Sequence, residues 1–307
     1  MNRTYRHEAL LWHNPEEFLA GTVPFIRDGL AAGEAVMIAV IPARTRWLRE
    51  ALGADADEVL FVDMAELGRN PARIIPVWRQ FVDDHSSRGD PVRGIGEPIW
   101  FGRRPEEIVE GQLHEALLNV AVEPDTPFWL LCPYDAGRLD DGVIEEMYRS
   151  HPAVVDSQQY RGSPLYGGRD YLDTVFSTGL PALTGTFEEL TFTKHDLQGV
   201  SSFVATKAFS AGLGADRAAD LAVAAQQLAT SSVHRGASEG VIRVWVREEA
   251  VTCEVSDAVV VSDPLTGRKG ATKEHHAGLW TANQLCDLVQ LRSSSAGTVV
   301  RMHNWLG

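Results

Sequence analysis

The sequence predicts two α/β domains, the first built on a mostly parallel sheet and the second an α/β sandwich. In the first half, buried apolar runs alternate with amphipathic segments at helical spacing, as in a parallel sheet covered on both faces by helices. Residues 156–187 are rich in Gly, Pro, Ser and Thr, which is typical of a linker. In the second half, paired strand signals follow a long helix. These observations place the domains at residues 1–155 and 188–307.

Hydrophobic periodicity predicts the elements of the first domain. Ala35–Ile41 is an uninterrupted apolar run, as expected for a strand that is buried on both faces. Pro15–Leu30 and Pro105–Val120 carry apolar residues at helical spacing. The strand that begins at Val92 ends in a turn, because Pro98 cannot donate to a ladder. The other predicted elements are strands at His7–Trp12, Val59–Val62 and Phe128–Cys132 and helices at Thr45–Leu52, Ala72–Asp84 and Gly142–Arg149.

The second domain is organised around one helix, which includes Leu221–Gly236. One face of this helix carries small and apolar residues, and a neighbouring face carries a polar row that includes Gln227 and Ser231. Asp216 is the expected N-cap. The other predicted elements are a helix at Leu197–Gly212 and strands at Glu188–Phe192, Val241–Val246, Val251–Val255, Gln290–Ser293 and Thr298–His303. They predict a four- or five-stranded mixed sheet with helices on one face.

Composition is that of an ordinary globular protein, with 44% hydrophobic and 23% charged residues in a chain of 307. No apolar run approaches the roughly 20 residues that a membrane-spanning helix needs, and the first residues lack the apolar core of a signal peptide. A cytoplasmic location is therefore expected. The three cysteines, Cys132, Cys253 and Cys286, are far apart in sequence, which predicts buried thiols rather than disulfides.

The net charge of −14 is concentrated in the first half of the chain. Residues 1–185 carry 17 basic and 29 acidic side chains, whereas residues 186–307 carry 11 and 13. An acidic domain repels the phosphate backbone of nucleic acids. The charge distribution therefore argues against direct binding to DNA or RNA.

The helix Leu221–Gly236 resembles the N-box helix of the histidine-kinase-type ATP-binding (Bergerat) fold, in the form found in bacterial anti-sigma-factor serine kinases. Downstream, Cys253–Asp257 resembles the strand that ends at the adenine-binding aspartate of that family. Asp263–His276 and Gly278–Leu285 resemble its lid and the helix that follows the lid. The resemblance extends over most of residues 188–307 and implies the α/β sandwich of the ATP-binding family.

The same comparison implies that the catalytic chemistry has been lost. The family has a catalytic glutamate and a magnesium-binding asparagine where this chain has Gln227 and Ser231. An amide cannot act as a general base at neutral pH, and a single hydroxyl is a poorer ligand for Mg²⁺. Val259 replaces the glycine expected after the aspartate, whereas Asp257 and Gly278 match the family. The resemblance thus implies a vestigial nucleotide site at Gln227, Ser231, Asp257 and Gly278, with no catalytic residue, and ATP and Mg²⁺ are doubtful cofactors.

The first half resembles the MEDS sensory domain of bacterial regulators thought to respond to hydrocarbon derivatives. The resemblance is carried by five motifs, at Arg69–Pro71, Arg93–Pro98, His114–Asn119, Leu131–Asp135 and Ser150–Pro152. The order of strands and helices is also similar to a RecA-type domain. The sequence contains no phosphate-binding G-x-x-x-x-G-K-[ST] motif, so binding of phosphates by a P-loop is not predicted.

A ligand pocket is predicted in this domain, because ligands of doubly wound sheets bind beyond the carboxyl ends of the strands. Its candidate lining residues are Glu97, Trp100, His114, Glu115, Asn119, Tyr134 and Asp135. Each of them taken singly also fits a structural role, as a turn-stabilising carboxylate, a core aromatic or a core histidine. No metal site is predicted through His7, His114 and Glu115, since no cysteine or histidine pair has the spacing of zinc ligands.

The leading functional hypothesis is a cytoplasmic, anti-sigma-factor-like signalling regulator. Its first domain would sense a small-molecule effector, and its second domain would bind a sigma factor or the antagonist of an anti-sigma factor without phosphorylating it. The resemblance also implies homodimerisation through the second domain.

The alternative is an active ATP-dependent serine/threonine protein kinase of the anti-sigma-factor family, with Asp257 and Gly278 still holding ATP. A sensor histidine kinase is disfavoured, because the linker offers no phosphoacceptor histidine. A scaffold in which neither domain binds a small molecule is a third hypothesis.

Overall fold

A computed structural model of the chain describes residues 4–85, 89–156, 159–247, 249–269 and 277–306. The chain divides into two compact units, Met1–Leu172 and Asp173–Gly307. The boundary lies inside the segment 156–187 that the sequence predicts to be a linker. This segment contains a short strand and a helix, and so it contributes regular structure to both units.

The first unit contains a seven-stranded sheet in which the mostly parallel arrangement predicted from sequence is confirmed. The strand order is β3-β2-β4-β5-β1-β6-β7, and every pair of neighbours is parallel except β6 and β7. The strands are β1 (Arg6–Trp12), β2 (Ala35–Val40), β3 (Leu60–Asp63), β4 (Val92–Gly96), β5 (Phe128–Asp135), β6 (Ala153–Val155) and β7 (Tyr160–Gly162). The helices are α1 (Pro15–Ala31), α2 (Pro42–Leu52), α3 (Met64–Leu67), α4 (Ile74–His85), α5 (Pro105–Ala121), α6 (Asp141–Ser150) and α7 (Gly168–Ser177), with 3₁₀ turns at Gly53–Glu58 and Pro71–Arg73.

Aromatic packing fixes helices against both faces of this sheet. Trp12 of β1, Phe18 of α1 and Trp47 of α2 meet edge to face, with ring centroids 5.4–6.4 Å apart. On the other face, Trp78 of α4 lies directly over Gly94 of β4, where a side chain would not fit. The absence of a Cβ in β4 therefore sets how closely α4 approaches the sheet.

The second unit contains a five-stranded sheet with the order β11-β12-β10-β9-β8. Its elements are β8 (Glu188–Thr193), α8 (Leu197–Ser210), α9 (Ala215–His234), β9 (Glu239–Arg247), β10 (Ala250–Asp257), α10 (Ala277–Leu285), β11 (Leu288–Ser294) and β12 (Gly297–Trp305). The mixed sheet predicted from sequence is wrong, since all ladders between these strands are antiparallel. Only two residues separate β9 from β10, and two separate β11 from β12, and connections this short can join only antiparallel neighbours.

Helix α9 occupies the centre of the second hydrophobic core. Its buried residues include Leu221, Ala225, Leu228 and Ala229, and the small ones allow α8 and α10 to pack closely on it. The long helix on which the sequence interpretation rests is therefore the element that joins the other two helices to the sheet.

Two predictions about the chain as a whole can be compared with the structure. The three cysteines are buried free thiols, as the sequence predicts. Among the described residues, no helix has both the length and the apolar character that crossing a membrane requires.

We expect Gly94→Ala to destabilise the first unit, because the new Cβ would lie 2.7 Å from Cζ3 of the buried Trp78 ring. Such overpacking costs about 1–3 kcal/mol. Gly142→Ala is the matched control, since no atom lies within 4 Å of its added Cβ on α6, and we expect it to stabilise the unit by about 0.5–1 kcal/mol. Urea unfolding followed by circular dichroism measures both changes, and equal midpoints for the two variants would contradict this packing.

Candidate functional site

The predicted nucleotide site of the second unit lies where α9 meets α10. The side chain of Gln227 is exposed on α9, and Ser231, one turn later, is buried. Gly278 is the second residue of α10 and lies against this turn of α9. A Cβ at Gly278 would overlap both Ser231 Oγ and the carbonyl oxygen of Gln227. The two helices are therefore in backbone contact at the positions that would face the phosphates and the metal in the family.

Both oxygens of the Asp257 carboxylate have hydrogen-bond partners within the second unit. Its side chain is 2% exposed. Oδ2 accepts a hydrogen bond from Ser232 Oγ and lies 3.4 Å from the guanidinium of Arg235, and Oδ1 accepts from the Val259 backbone N–H at 2.7 Å. The aspartate that matches the adenine-binding residue of the family is thus paired with residues of its own chain.

The described part of the predicted lid is attached to α10. Gly267 has a φ of +75° and lies so close to Leu279 that only glycine fits there. Asn283 Nδ2 donates a 2.9 Å hydrogen bond to the carbonyl of Gly267. The remainder of the predicted lid, residues 270–276, lies outside the described residues.

Several groups of charged side chains are buried in the first unit, and one of them lies at the carboxyl ends of its central strands. Arg44 in the first turn of α2 is within 3.4 Å of both Glu97 and Asp135. Its guanidinium also lies over the rings of Trp12 and Trp47, at 4.6 and 4.5 Å. All three charged side chains are at most 7% exposed. Burial raises the pKa of Glu97 to about 7, although the Arg44 charge and the Ile41 N–H oppose the rise.

Another group, here called the buried tetrad, consists of His7, Glu115, Cys132 and His151. Glu115 Oε2 lies 2.9 Å from His7 Nε2 and 3.3 Å from His151 Nε2, and Cys132 Sγ lies 3.5 Å from His7 Nε2. Each of the four is at most 3% exposed. β1, α5, β5 and the residue after α6 contribute one member each, so the tetrad ties four elements together.

Electrostatics within the buried tetrad are dominated by Glu115. Burial disfavours its ionised form, but the two imidazoles outweigh burial and hold the pKa of Glu115 well below its usual range. Burial and the neighbouring His7 lower the pKa of His151. Burial and the Glu115 carboxylate raise the pKa of the Cys132 thiol. The site therefore holds a carboxylate whose counter-charge must come from within the cluster.

The structure distributes the seven residues predicted to line one pocket over more than one place. Glu97 and Asp135 meet at Arg44, whereas Glu115 belongs to the buried tetrad, with Asn119 bonded to His7 and Tyr134 packed on His151. Alternation along β5 explains the division, because adjacent residues of a strand point to opposite faces.

The two remaining residues, Trp100 and His114, lie elsewhere. Trp100 stacks with Arg103. His114 is buried next to Glu115 on α5, but adjacent residues on a helix point about 100° apart, so both cannot face the same cluster. Neither residue is a member of these two groups.

Sequence reasoning did not assign a site role to Arg44, Cys132 or His151. Cys132 and His151 stand inside the motifs that carry the family resemblance, at Leu131–Asp135 and Ser150–Pro152. Their spacing gave no metal or catalytic signal because the cluster is assembled from separate elements. Arg44 lies three residues after the apolar run Ala35–Ile41. A basic residue so close to the end of a buried strand was the sequence feature that could have indicated its role.

Comparison with known families agrees with this geometry. Residues 6–152 match the family described as the methanogen/methylotroph, DcmR sensory domain, or MEDS. Residues 190–304 match the family described as the histidine kinase-like ATPase domain. No curated protein matches the chain.

Among solved structures, the RsbU and RsbW domains of a protein from Mycobacterium tuberculosis are similar at 15% identity and a TM-score of 0.30. The match covers 39% of this chain and 32% of that one.

The chain therefore combines a sensory domain with an ATPase-fold domain, which is the composition of a signalling regulator. More specifically, it consists of a MEDS domain followed by a histidine kinase-like ATPase domain, as the resemblances in the sequence predict.

The raised pKa of Glu97 predicts a pH dependence of stability. Between about pH 4.5 and 7 the folded protein keeps Glu97 protonated while the unfolded chain releases the proton, so stability falls as pH rises through this window. The loss amounts to about 3 kcal/mol at most. We expect Glu97→Gln to remove this slope, whereas Glu16→Gln at an exposed site should retain it. Denaturant unfolding between pH 4.5 and 8 measures the difference, and parallel curves for wild type and Glu97→Gln would contradict the assignment.

Proposed function

We propose that the protein is an anti-sigma-factor-like signalling regulator whose second domain binds a protein partner without transferring phosphate. The observation that carries the proposal is the internal use of the nucleotide site, where Gly278 packs on α9 and Asp257 pairs with Ser232 and Arg235.

The donor set at the site does not fit Mg-ATP. A general base must accept a proton, and the amide of Gln227 cannot do so at neutral pH. Mg²⁺ demands octahedral oxygen ligands, and the single hydroxyl of Ser231 is buried against α10. These features support a fold that is kept for recognition and not for turnover.

Adenine recognition is also compromised. An aspartate that accepts a hydrogen bond from the adenine amino group needs an unoccupied lone pair, and Ser232, Arg235 and the Val259 N–H already use most of those of Asp257. Freeing the carboxylate would leave Arg235 buried without its counter-charge, which costs several kcal/mol. The Asp257–Arg235 pair therefore favours the nucleotide-free state.

The proposed partner is a sigma factor or the antagonist of an anti-sigma factor, since the resemblance of the second domain is to anti-sigma-factor kinases. The proposal places the protein in the cytoplasm, as the sequence predicts. The acidic first half supports a protein partner over nucleic acid. Homodimerisation through the second domain belongs to the same proposal.

The first domain is proposed to sense a small-molecule effector at the carboxyl ends of its strands. Arg44, Glu97 and Asp135 support this, because they meet at the carboxyl ends of parallel strands, where ligands of such sheets bind. The effector controls partner binding only if it binds two states of the protein with unequal affinity.

Asp257→Asn separates the structural interpretation from the kinase interpretation. We expect it to lower the free energy of unfolding by about 3 kcal/mol, because Arg235 loses its buried counter-charge, and to leave partner capture by the remaining folded protein unchanged. Asp263→Asn is the matched control, since its pair with Lys269 is exposed and exposed pairs contribute about 0–1 kcal/mol. Thermal unfolding measures the stability, and a variant with unchanged stability but abolished Mg-ATP binding would support the kinase alternative.

Partner capture from the native cytoplasm tests the proposal as a whole. We expect the full chain to retain a sigma factor or an anti-sigma-factor antagonist equally well with and without Mg-ATP, and to transfer no radiolabel from ATP to it. Mass spectrometry identifies the partner, and Gln227→Ala is expected to change neither result. Capture that strictly requires ATP, or phosphorylation that Gln227→Ala eliminates, would overturn the proposal in favour of an active kinase.

A further inference from the structure

The buried tetrad has the composition of a metal site, because its members offer two imidazoles, one carboxylate and one thiol, which a bound metal would convert to the thiolate with release of its proton. Their ligand atoms, one from each residue, all lie within 4.8 Å of one another. Bonds of about 2.0–2.3 Å around a tetrahedral zinc ion separate its ligand atoms by about 3.3–3.6 Å. The distances of 2.9, 3.3 and 3.5 Å within the tetrad are close to these values.

Hydrogen bonds fix the histidine tautomers so that lone pairs point into the cluster. His151 Nδ1 lies 3.0 Å from the carbonyl of Met147, which can only accept, so Nδ1 carries the proton. Asn119 donates through Nδ2 to the Ser150 carbonyl, which turns its Oδ1 towards His7 Nδ1 at 3.1 Å. In the neutral rings, both Nε2 atoms therefore present lone pairs to Glu115.

Converging acceptors need a cation between them. One proton would satisfy His7 and Glu115 but would leave His151 Nε2, 3.3 Å from the carboxylate, without a hydrogen-bond partner among the described residues. Protonating both imidazoles would place two positive rings with centroids 4.2 Å apart inside a buried site, where they repel each other. Oε1 of Glu115 has no hydrogen-bond partner among the described residues, and a buried carboxylate oxygen without a partner is costly. A divalent ion bound by the carboxylate and the thiolate of Cys132 would leave the site neutral.

We propose that His7, Glu115, Cys132 and His151 bind one divalent transition-metal ion, best matched by Zn²⁺. Thiolate and imidazole ligands in fourfold coordination are typical of zinc sites. The carbonyl of Met147 and the amide of Asn119 supply the outer hydrogen bonds that orient metal-ligating histidines. This site replaces the absence of a metal expected from sequence spacing, and it stands whether or not the second unit binds a partner.

The same atoms also resemble a nucleophile arrangement, with His7 between Cys132 and Asn119. Two features disfavour that interpretation. Glu115 shares His7 Nε2 with the thiol, so the nitrogen that would take the thiol proton already faces a carboxylate. The side chain of Cys132 is also 1% exposed, which leaves a substrate no access.

Metal analysis of the 307-residue chain tests the proposal. We expect one zinc ion per chain after incubation with ZnCl₂ and exhaustive dialysis, and an absorption band from thiolate-to-cobalt charge transfer after loading with Co²⁺. Cys132→Ser should lose the band and His151→Gln the bound zinc, whereas Cys253→Ser, which removes an equally buried thiol from the other unit, should keep both.

Asn119→Leu tests the orienting role of the outer hydrogen bond to His7. We expect it to lower zinc affinity about 10–100-fold while the cobalt band is retained. Competition with a chromophoric chelator measures the affinity, and an unchanged affinity would remove Asn119 from the site.

If the ligand variants do not fold, metal binding by the wild-type protein alone tests the proposal. Zinc should raise the melting temperature of the metal-free 307-residue chain, because it binds only the folded state. Wild-type protein that binds no zinc and shows no cobalt band would overturn the proposal. Rapid alkylation of Cys132 in such metal-free protein would point instead to the nucleophile arrangement.

Discussion

The contact between Gly278 and helix α9 is the constraint on which the functional account depends. A residue without a side chain allows α10 to begin against the backbone of Gln227 and the hydroxyl of Ser231. In a catalytic member of the ATP-binding family, the corresponding space must admit phosphates and a hydrated metal. In this chain Gln227 and Ser231 stand in place of the glutamate and the asparagine, and the hydroxyl of Ser231 lies against Gly278. Asp257, which matches the adenine-binding aspartate of the family, is paired with Arg235 of its own chain.

Buried charged side chains also hold elements of the first unit together. Arg44 and the buried tetrad both place ionisable groups at positions of low exposure, where an unpaired charge would cost several kcal/mol. Arg44 satisfies two carboxylates at the edge where ligands of such sheets bind. The tetrad holds strands and helices from four parts of the chain around one carboxylate. The proposed effector site at the sheet edge and the buried tetrad are therefore separate groups of residues in the first unit.

Much of the fold, and the altered chemistry of the nucleotide site, was predictable from the sequence, because periodicity and family motifs are local signals. The apolar run at Ala35–Ile41 and the helix Leu221–Gly236 predicted the parallel sheet and the centre of the second core, and both are present. Gln227 and Ser231 already indicated the altered chemistry.

The antiparallel direction of neighbouring strands in the second unit was not predicted correctly, since it is set by the short connections between strands and not by strand composition. The buried tetrad was not predicted either. His7 and His151 are separated by most of the first unit, and only the folded sheet brings them together. Spacing rules detect ligands that share one element, and each ligand here comes from a different one. Structure inside residues 156–187 was missed for a related reason, because glycine and proline mark turns but do not exclude a short strand between them.

Hydrogen–deuterium exchange of the full chain, with and without Mg-ATP, tests the central claim most directly. The account predicts that exchange at α9 and α10 is the same in both conditions, because a site with Gln227 and Ser231 in place of the glutamate and the asparagine does not bind Mg-ATP. Protection of Ala277–Leu285 and of the turn that contains Gln227 on addition of Mg-ATP would contradict it.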